Sequence, residues 1–399
     1  NNILFWVERD VNQRPCAVYA KNIHDQLDEP KLIYLEKDPS FFVSVGETDS
    51  GNYIEINIHN HTTNEVWIIP SDKPYDRPMC INKRTSGHEY SIHDHNEDLY
   101  ILTNYNDSTD FAVMHTSINK PGCKHWNLVI PHHPGTLILG LRTFSNYLVR
   151  LVRENALPKI IIRNLIDNSE KVISFDEEAY SISLMTGHEY KTRSLRFSYS
   201  SPTTPKQIYD YDMHTHKRVL LQTQNVPSGH SATDYKCERI YIKARDGSDI
   251  PVTLLYHSRF IQDGKSPLLL YGYGSYGITI PASFRTSILP LVDRGITYAI
   301  AHIRGGMAKG YKWYLDGKLQ KKENTFNDYI DVGVGLCEKK YTSPGKICAY
   351  GGSAGGLLVG AAINQAPKLF AGAVAAVPFV DVLNTMSDSQ LPLTPPEWP

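Results

Sequence analysis

The sequence predicts a two-part fold: a partial β-propeller over residues 1–230, then an α/β domain built on a parallel sheet over residues 231–399. Three observations predict it. Short strands recur at near-constant spacing in the first part. Near residue 236 the pattern changes from strands alone to strands alternating with helices. Within the second part a serine, Ser353, stands among glycines between a strand and a helix.

The repeat sets the propeller. Strand-like runs hold Tyr53, Tyr100, Tyr147 and Phe197, at spacings of 47, 47 and 50 residues. Each is followed by a turn and a second strand, at 65–69, 111–115, 158–163 and 207–211. Several short strands repeating at this period mark propeller blades, because one such unit cannot bury its apolar face alone. At this period residues 1–230 hold between four and five blades. A β-sandwich with irregular strand spacing is the alternative.

The second part opens with a hairpin, strands at 237–244 and 251–256 around the turn Arg245-Asp246-Gly247-Ser248. Next come a strand at 267–271, a helical stretch near 283–293 and a strand at 297–303. A helix is expected from 327 to about 339, capped by Thr325 or Asn327. A strand at 347–350, a helix to about 366 and a strand at 371–377 complete the series. Alternation of this kind gives a parallel sheet flanked by helices.

The elbow carries the chemistry. Gly351-Gly352-Ser353-Ala354-Gly355 follows the fifth strand of this count, where an α/β-hydrolase places its nucleophile. The turn holds the serine in a strained conformation, brings strand and helix close, and asks for glycine beside it. The helix start favours a developing oxyanion, and the N–H of Ala354 is one donor to it. A plain glycine-rich turn is the alternative reading.

Composition narrows the function. Apolar content of 41% and charged content of 21% are those of a globular protein. A net charge of −1 gives no reason to expect nucleic acid or an acidic membrane surface as partner. Six cysteines without a C-x-x-C pair fit a reducing, cytoplasmic setting. No apolar run reaches the roughly 18–20 residues of a membrane span. Glu8, Arg9 and Asp10 interrupt the first apolar stretch, so it is no signal peptide, and it reads like the middle of a sheet.

Residues 231–399 resemble the catalytic domain of the prolyl oligopeptidase family of serine peptidases, and within it the oligopeptidase B branch. The resemblance rests on the run from Tyr271 to Gly277, on His302 to Gly306 with Gly310, Trp313, Tyr314, Gly317, Lys318, Lys322 and Asn324 to Phe326 with Asp328, on Gly351 to Leu358, and on the stretch from Asp388 to Trp398. Ala354 after the serine fits that branch, and 200–205 is similar to the family's last blades. The resemblance implies a seven-bladed propeller that limits access to the active site, no cofactor, and short peptide substrates cut after Arg or Lys.

By the same resemblance Tyr273 supplies the second oxyanion donor through its hydroxyl, a neutral donor at pH 7. Glu397 would hold the basic side chain before the cut bond, which a carboxylate suits through bidentate pairing. A second acid is often present two residues later, where Pro399 stands, which weakens any preference for paired basic residues. Arg304, at the carboxyl edge of the sheet, either touches substrate or forms a structural ion pair with Asp328.

Competing motifs are weaker. Gly272 to Gly277 fits G-x-G-x-x-G, yet Pro281 follows where a helix should open, and no acid sits at the ribose position. His93-Asp94-His95, expected at a turn before a strand, suits no familiar zinc spacing and is expected to bond a blade turn. The triad is incomplete: no histidine follows His302, and Asp381 and Asp388 come too early to be the acid. The chain therefore reads as an internal segment of a longer serine oligopeptidase. An esterase or thioesterase with the same elbow, and a non-catalytic propeller protein, are the alternatives.

Overall fold

The computed structural model describes residues 2–24, 29–185, 187, 189–388 and 391. The first part is a series of antiparallel sheets. A three-stranded sheet joins β1 (Ile3–Arg9), β2 (Pro15–Asn22) and β3 (Lys31–Leu35). Four four-stranded sheets follow in chain order. The first holds β4 (Phe42–Glu47), β5 (Tyr53–His59), β6 (Asn64–Pro70) and β7 (Met79–Asn82). The second holds β8 (Tyr90–His95), β9 (Asp98–Thr103), β10 (Ala112–Ser117) and β11 (Asn127–Ile130). The third holds β12 (Thr136–Thr143), β13 (Tyr147–Glu154), β14 (Leu157–Asn164) and β15 (Glu170–Ile173). The fourth holds β16 (Ser181–Leu184), β17 (Ser194–Ser200), β18 (Gln207–Asp212) and β19 (Arg218–Thr223).

Tyr53, Tyr100, Tyr147 and Phe197 all lie on the second strand of their sheets, so the repeat is one of equivalent blades. Neighbouring blades share apolar cores: Val66 and Ile68 of one pack with Ile92, Leu99 and Ile101 of the next. His93-Asp94-His95 lies within β8, not in a turn before a strand. His93 Nδ1 pairs at 2.9 Å with Asp49, in the turn between β4 and β5.

The second part is one six-stranded sheet with helices against it. Its elements are β20 (Tyr235–Lys243), β21 (Asp249–His257), β22 (Leu268–Tyr271), α1 (Leu289–Asp293), β23 (Thr297–Ala301), α2 (Tyr311–Leu315), α3 (Glu323–Glu338), β24 (Ile347–Gly352), α4 (Ala354–Gln365), β25 (Phe370–Ala376) and α5 (Val382–Ser387). The strand order is β20-β21-β23-β22-β24-β25. β20, β21 and β23 run antiparallel in turn, and β22, β23, β24 and β25 are mutually parallel. A core of Leu268, Leu270, Ala299, Ile347 and Ala349 with Tyr329, Leu336, Leu358 and Val359 joins the sheet to α3 and α4.

Two expected boundaries shift, for local reasons. The helical stretch near 283–293 is helical only over α1. Before it, the Phe284 N–H donates to Ser200 Oγ at 2.9 Å, which ties that segment to the propeller rather than to a helical turn. α3 begins at Glu323, so Thr325 and Asn327 lie inside it and neither caps it. The Thr325 hydroxyl instead bridges the carbonyls of Arg304 and Gly317, each at 3.0 Å.

Candidate active site

β24 and α4 meet at Ser353, which adopts φ 54° and ψ −119°, a conformation unfavourable for any residue with a side chain. The surroundings hold it there. Its N–H donates to the Ala376 carbonyl at 2.9 Å, and its own carbonyl accepts from Gly356 at 2.8 Å and Phe379 at 3.0 Å. Ser353 is exposed, whereas Ala354, at the first position of α4, is buried. The first N–H of a helix has no acceptor within it, so the Ala354 N–H is open to a ligand beside Ser353.

The glycines differ in what they do. A β-carbon on Gly351 would stand 2.2 Å from the Gly355 carbonyl oxygen, and one on Gly355 would stand 2.9 Å from that of Gly272. At Gly352 the nearest atom is 3.5 Å away. Steric demand therefore falls on Gly351 and Gly355, not on the residue directly before the serine.

Tyr273 lies beside this turn. Its Cδ2 would be 3.2 Å from a β-carbon on Gly355, two residues past Ser353. The half-buried ring also packs against a cluster that includes Ile280, Phe284 and Ile288. Gly272 to Gly277, the loop that carries Tyr273, turns back without opening a helix. It is held from the neighbouring segment: Gly277 N–H donates to Gly305 O at 3.0 Å and Met307 N–H to Gly277 O at 3.1 Å. Gly305, at φ 90°, has no space for a side chain, since a β-carbon would meet the Gly274 carbonyl.

Lys322 adds a tether that the sequence reasoning did not assign. Its ammonium donates to Gly274 O at 2.5 Å and to Ser275 Oγ at 2.8 Å. Burial pushes its pKa down to about 8. With the helix beginning at Glu323, Lys322 stands at a helix start, where a cation opposes the helix dipole and needs another reason to be there; the expected start at 327 hid that signal.

Arg304 is occupied by carboxylates. It is 5% exposed; its Nε and backbone N–H reach Asp328 Oδ2 at 2.9 and 3.0 Å, and its other two nitrogens contact Asp328 Oδ1 and Asp246 Oδ2. Burial alone would ease its proton off, but the bonds to Asp328 and Asp246 outweigh that and hold it charged. The structure thus shows the ion-pair alternative, with all three guanidinium nitrogens engaged.

His302 is buried, with Nε2 against Thr253 Oγ1 at 2.9 Å. Burial, helped by the nearby charges of Arg239 and Arg153, pushes its pKa down to about 3, so it is no base for Ser353. Among the described residues no group of three or more His, Cys, Asp or Glu side chains is placed to hold a metal ion. No helix among them is long and apolar enough to cross a membrane. Glu397 lies outside the described residues.

Comparison with known proteins gives the same two parts. A model of the prolyl oligopeptidase N-terminal β-propeller domain matches residues 1–224, and one of the prolyl oligopeptidase family matches residues 282–399. Protease 2 of Moraxella lacunata is 34% identical over 395 residues, covering 99% of this chain and 56% of that protein. Dipeptidyl aminopeptidase BI of Pseudoxanthomonas mexicana is 36% identical over 402 residues, covering 99% of this chain and 54% of the other. The structure of oligopeptidase B from Leishmania major superposes with a TM-score of 0.92 at 32% identity, covering 100% of this chain and 57% of that one. The chain spans about half the length of the curated relatives it matches.

Proposed function

The chain belongs to the prolyl oligopeptidase family, and on that premise we propose that the full-length protein is a serine endopeptidase that hydrolyses short peptides after Arg or Lys through an acyl-enzyme on Ser353. The observation that carries this reading is the conformation of Ser353. An exposed serine forced to positive φ at the end of a parallel strand flanked on both sides, ahead of a twelve-residue helix, is costly backbone. It does place a hydroxyl and an open N–H on one side of a reacting carbonyl.

Each role follows from the chemistry. Ser353 Oγ attacks the peptide carbonyl, and the Ala354 N–H with the Tyr273 hydroxyl receive the negative charge that develops on its oxygen. A histidine must take the serine proton, and residues 303–399 contain none. The proposal therefore concerns the full-length protein. Glu397 remains the proposed partner of the basic side chain, supported by the match of carboxylate to guanidinium. We read Arg304 as part of the frame under the Tyr273 loop, not as a substrate contact. The division near residue 230 falls between β19 and β20, and six free cysteines favour a reducing compartment.

The test is labelling and turnover of the full-length protein. An organophosphonate should attach at Ser353, and peptides with Arg or Lys before the scissile bond should be cleaved faster than a matched one with Pro there, with Ser353→Ala abolishing both. Labelling elsewhere overturns the nucleophile. Hydrolysis confined to esters overturns the peptidase reading.

A further inference from the structure

The propeller meets the active-site frame at several points, Ser200 against Phe284 and Asp110 against Tyr311 among them, and one of these is the tip of the β13–β14 hairpin. Asn155 and Ala156 there have φ 50° and 67°. A two-residue turn of this type wants Asn-Gly; an alanine at positive φ is strained and persists only where its surroundings hold it. Ala156 is held by packing against the core of the six-stranded sheet.

Three hydrogen bonds cross at this tip. Ala156 N–H donates to Ala308 O at 2.6 Å, Arg239 Nη2 donates to Asn155 O, and Arg153 Nη1 donates to Thr279 Oγ1 at 3.2 Å. Burial pushes Arg153 down to about 10, still charged at neutral pH. Among the described residues no carboxylate makes an ion pair with it, so Thr279 is its side-chain acceptor. A half-buried guanidinium whose one side-chain hydrogen bond goes to a threonine hydroxyl is costly if its only purpose is stability.

Both receiving segments hold the loop of Tyr273. Thr279 lies two residues past Gly277, and Ala308 follows Met307, whose N–H holds the Gly277 carbonyl. The hairpin thus grips, from the propeller, the two strands of chain that pair beneath the proposed oxyanion donor. A fixed donor matters because a displacement of about 1 Å can cost about a hundredfold in rate.

We propose that the β13–β14 tip sets the position of Tyr273, with Arg153 and Thr279 as positioning residues that couple the propeller to oxyanion stabilisation. This rests on the reading of Tyr273 as an oxyanion donor. It predicts behaviour that a merely structural contact would not show.

The test is a pair of double-mutant cycles in the full-length enzyme, with kcat and KM measured on one Arg peptide and a melting curve taken for each variant. Arg153→Met and Thr279→Val should each lower kcat by about 3- to 10-fold with KM within about twofold, and together cost no more than one alone. In the Tyr273→Phe background neither should lower kcat further. Additive losses in that background overturn the coupling, as does an unchanged kcat in both single variants. If Arg153→Met fails to fold, Thr279→Val, which removes the hydroxyl that accepts from Arg153 and keeps the side chain's shape, decides alone. If Tyr273→Phe by itself leaves kcat unchanged, the reading of Tyr273 fails, and this inference falls with it by a distinct result.

Discussion

Gly351 and Gly355, the two glycines that bracket the elbow, face each other so closely that a β-carbon on the first would stand 2.2 Å from the carbonyl oxygen of the second. Backbone cannot move aside as a flexible side chain can, so Gly351→Ala must open the β24–α4 turn. We expect it to lower stability by about 1–3 kcal/mol and to abolish phosphonate labelling at Ser353. Gly352→Ala, with 3.5 Å of clearance, should keep both within error. Denaturant unfolding with labelling separates the two; equal behaviour of the alanines would refute the steric assignment.

Tyr273→Phe removes one hydroxyl from a ring held by the packing of Ile280 and Phe284, so the loop should stay in place. Loss of a single oxyanion donor typically costs about 10²–10³ in kcat. We expect a loss of that size with KM nearly unchanged, and a parallel loss of affinity for a peptide aldehyde, whose serine adduct carries the same oxyanion. A loss confined to KM would make Tyr273 a substrate contact instead.

Arg304 and Asp328 form a pair with side chains 6% and 0% exposed, and a charge left alone there has no solvent to turn to. Asp328→Asn should destabilise the protein by about 3–5 kcal/mol. Asp246, whose side chain is 43% exposed, can be replaced by water around Arg304, so Asp246→Asn should cost far less. Equal costs in urea unfolding would show that the two acids share the guanidinium evenly.

Much of this was legible in the chain because it depends on local pattern. The positions of Tyr53, Tyr100, Tyr147 and Phe197 gave the blade period because each stands on the same strand of its sheet. Ser353 was visible because its strained turn is written in glycines close by in sequence, Gly351 and Gly355, where a side chain has no room. What stayed hidden depends on distance. Thr325 resembles a helix cap in sequence, yet its hydroxyl serves carbonyls 21 and 8 residues away. Lys322, Arg153 and Thr279 act only through partners that no short window contains. Arg304 allowed two readings because a carboxylate 24 residues on is either a partner or a bystander until the sheet is built.

Asp49 offers a pH test of how the blades are joined. From the turn between β4 and β5 it meets His93 Nδ1 of the next blade at 2.9 Å and the Thr143 N–H of the blade after that at 2.9 Å. Burial alone would raise its pKa, but the bond and charge of His93, the Thr143 N–H and the charge of Arg142 outweigh that and hold it at about 2. Because the folded value lies below the unfolded one of about 3.9, the unfolded chain binds the proton more readily. Its contribution is therefore complete above about pH 4 and is lost as pH falls towards 2. With the side chain 11% exposed, the pH-dependent part should be about 2 kcal/mol. The stability gap between the wild type and Asp49→Asn should accordingly narrow below about pH 4, followed by urea unfolding at each pH. A gap that stays constant into that acid range would mean the carboxylate is not held ionised by its neighbours, and that packing alone joins these three blades.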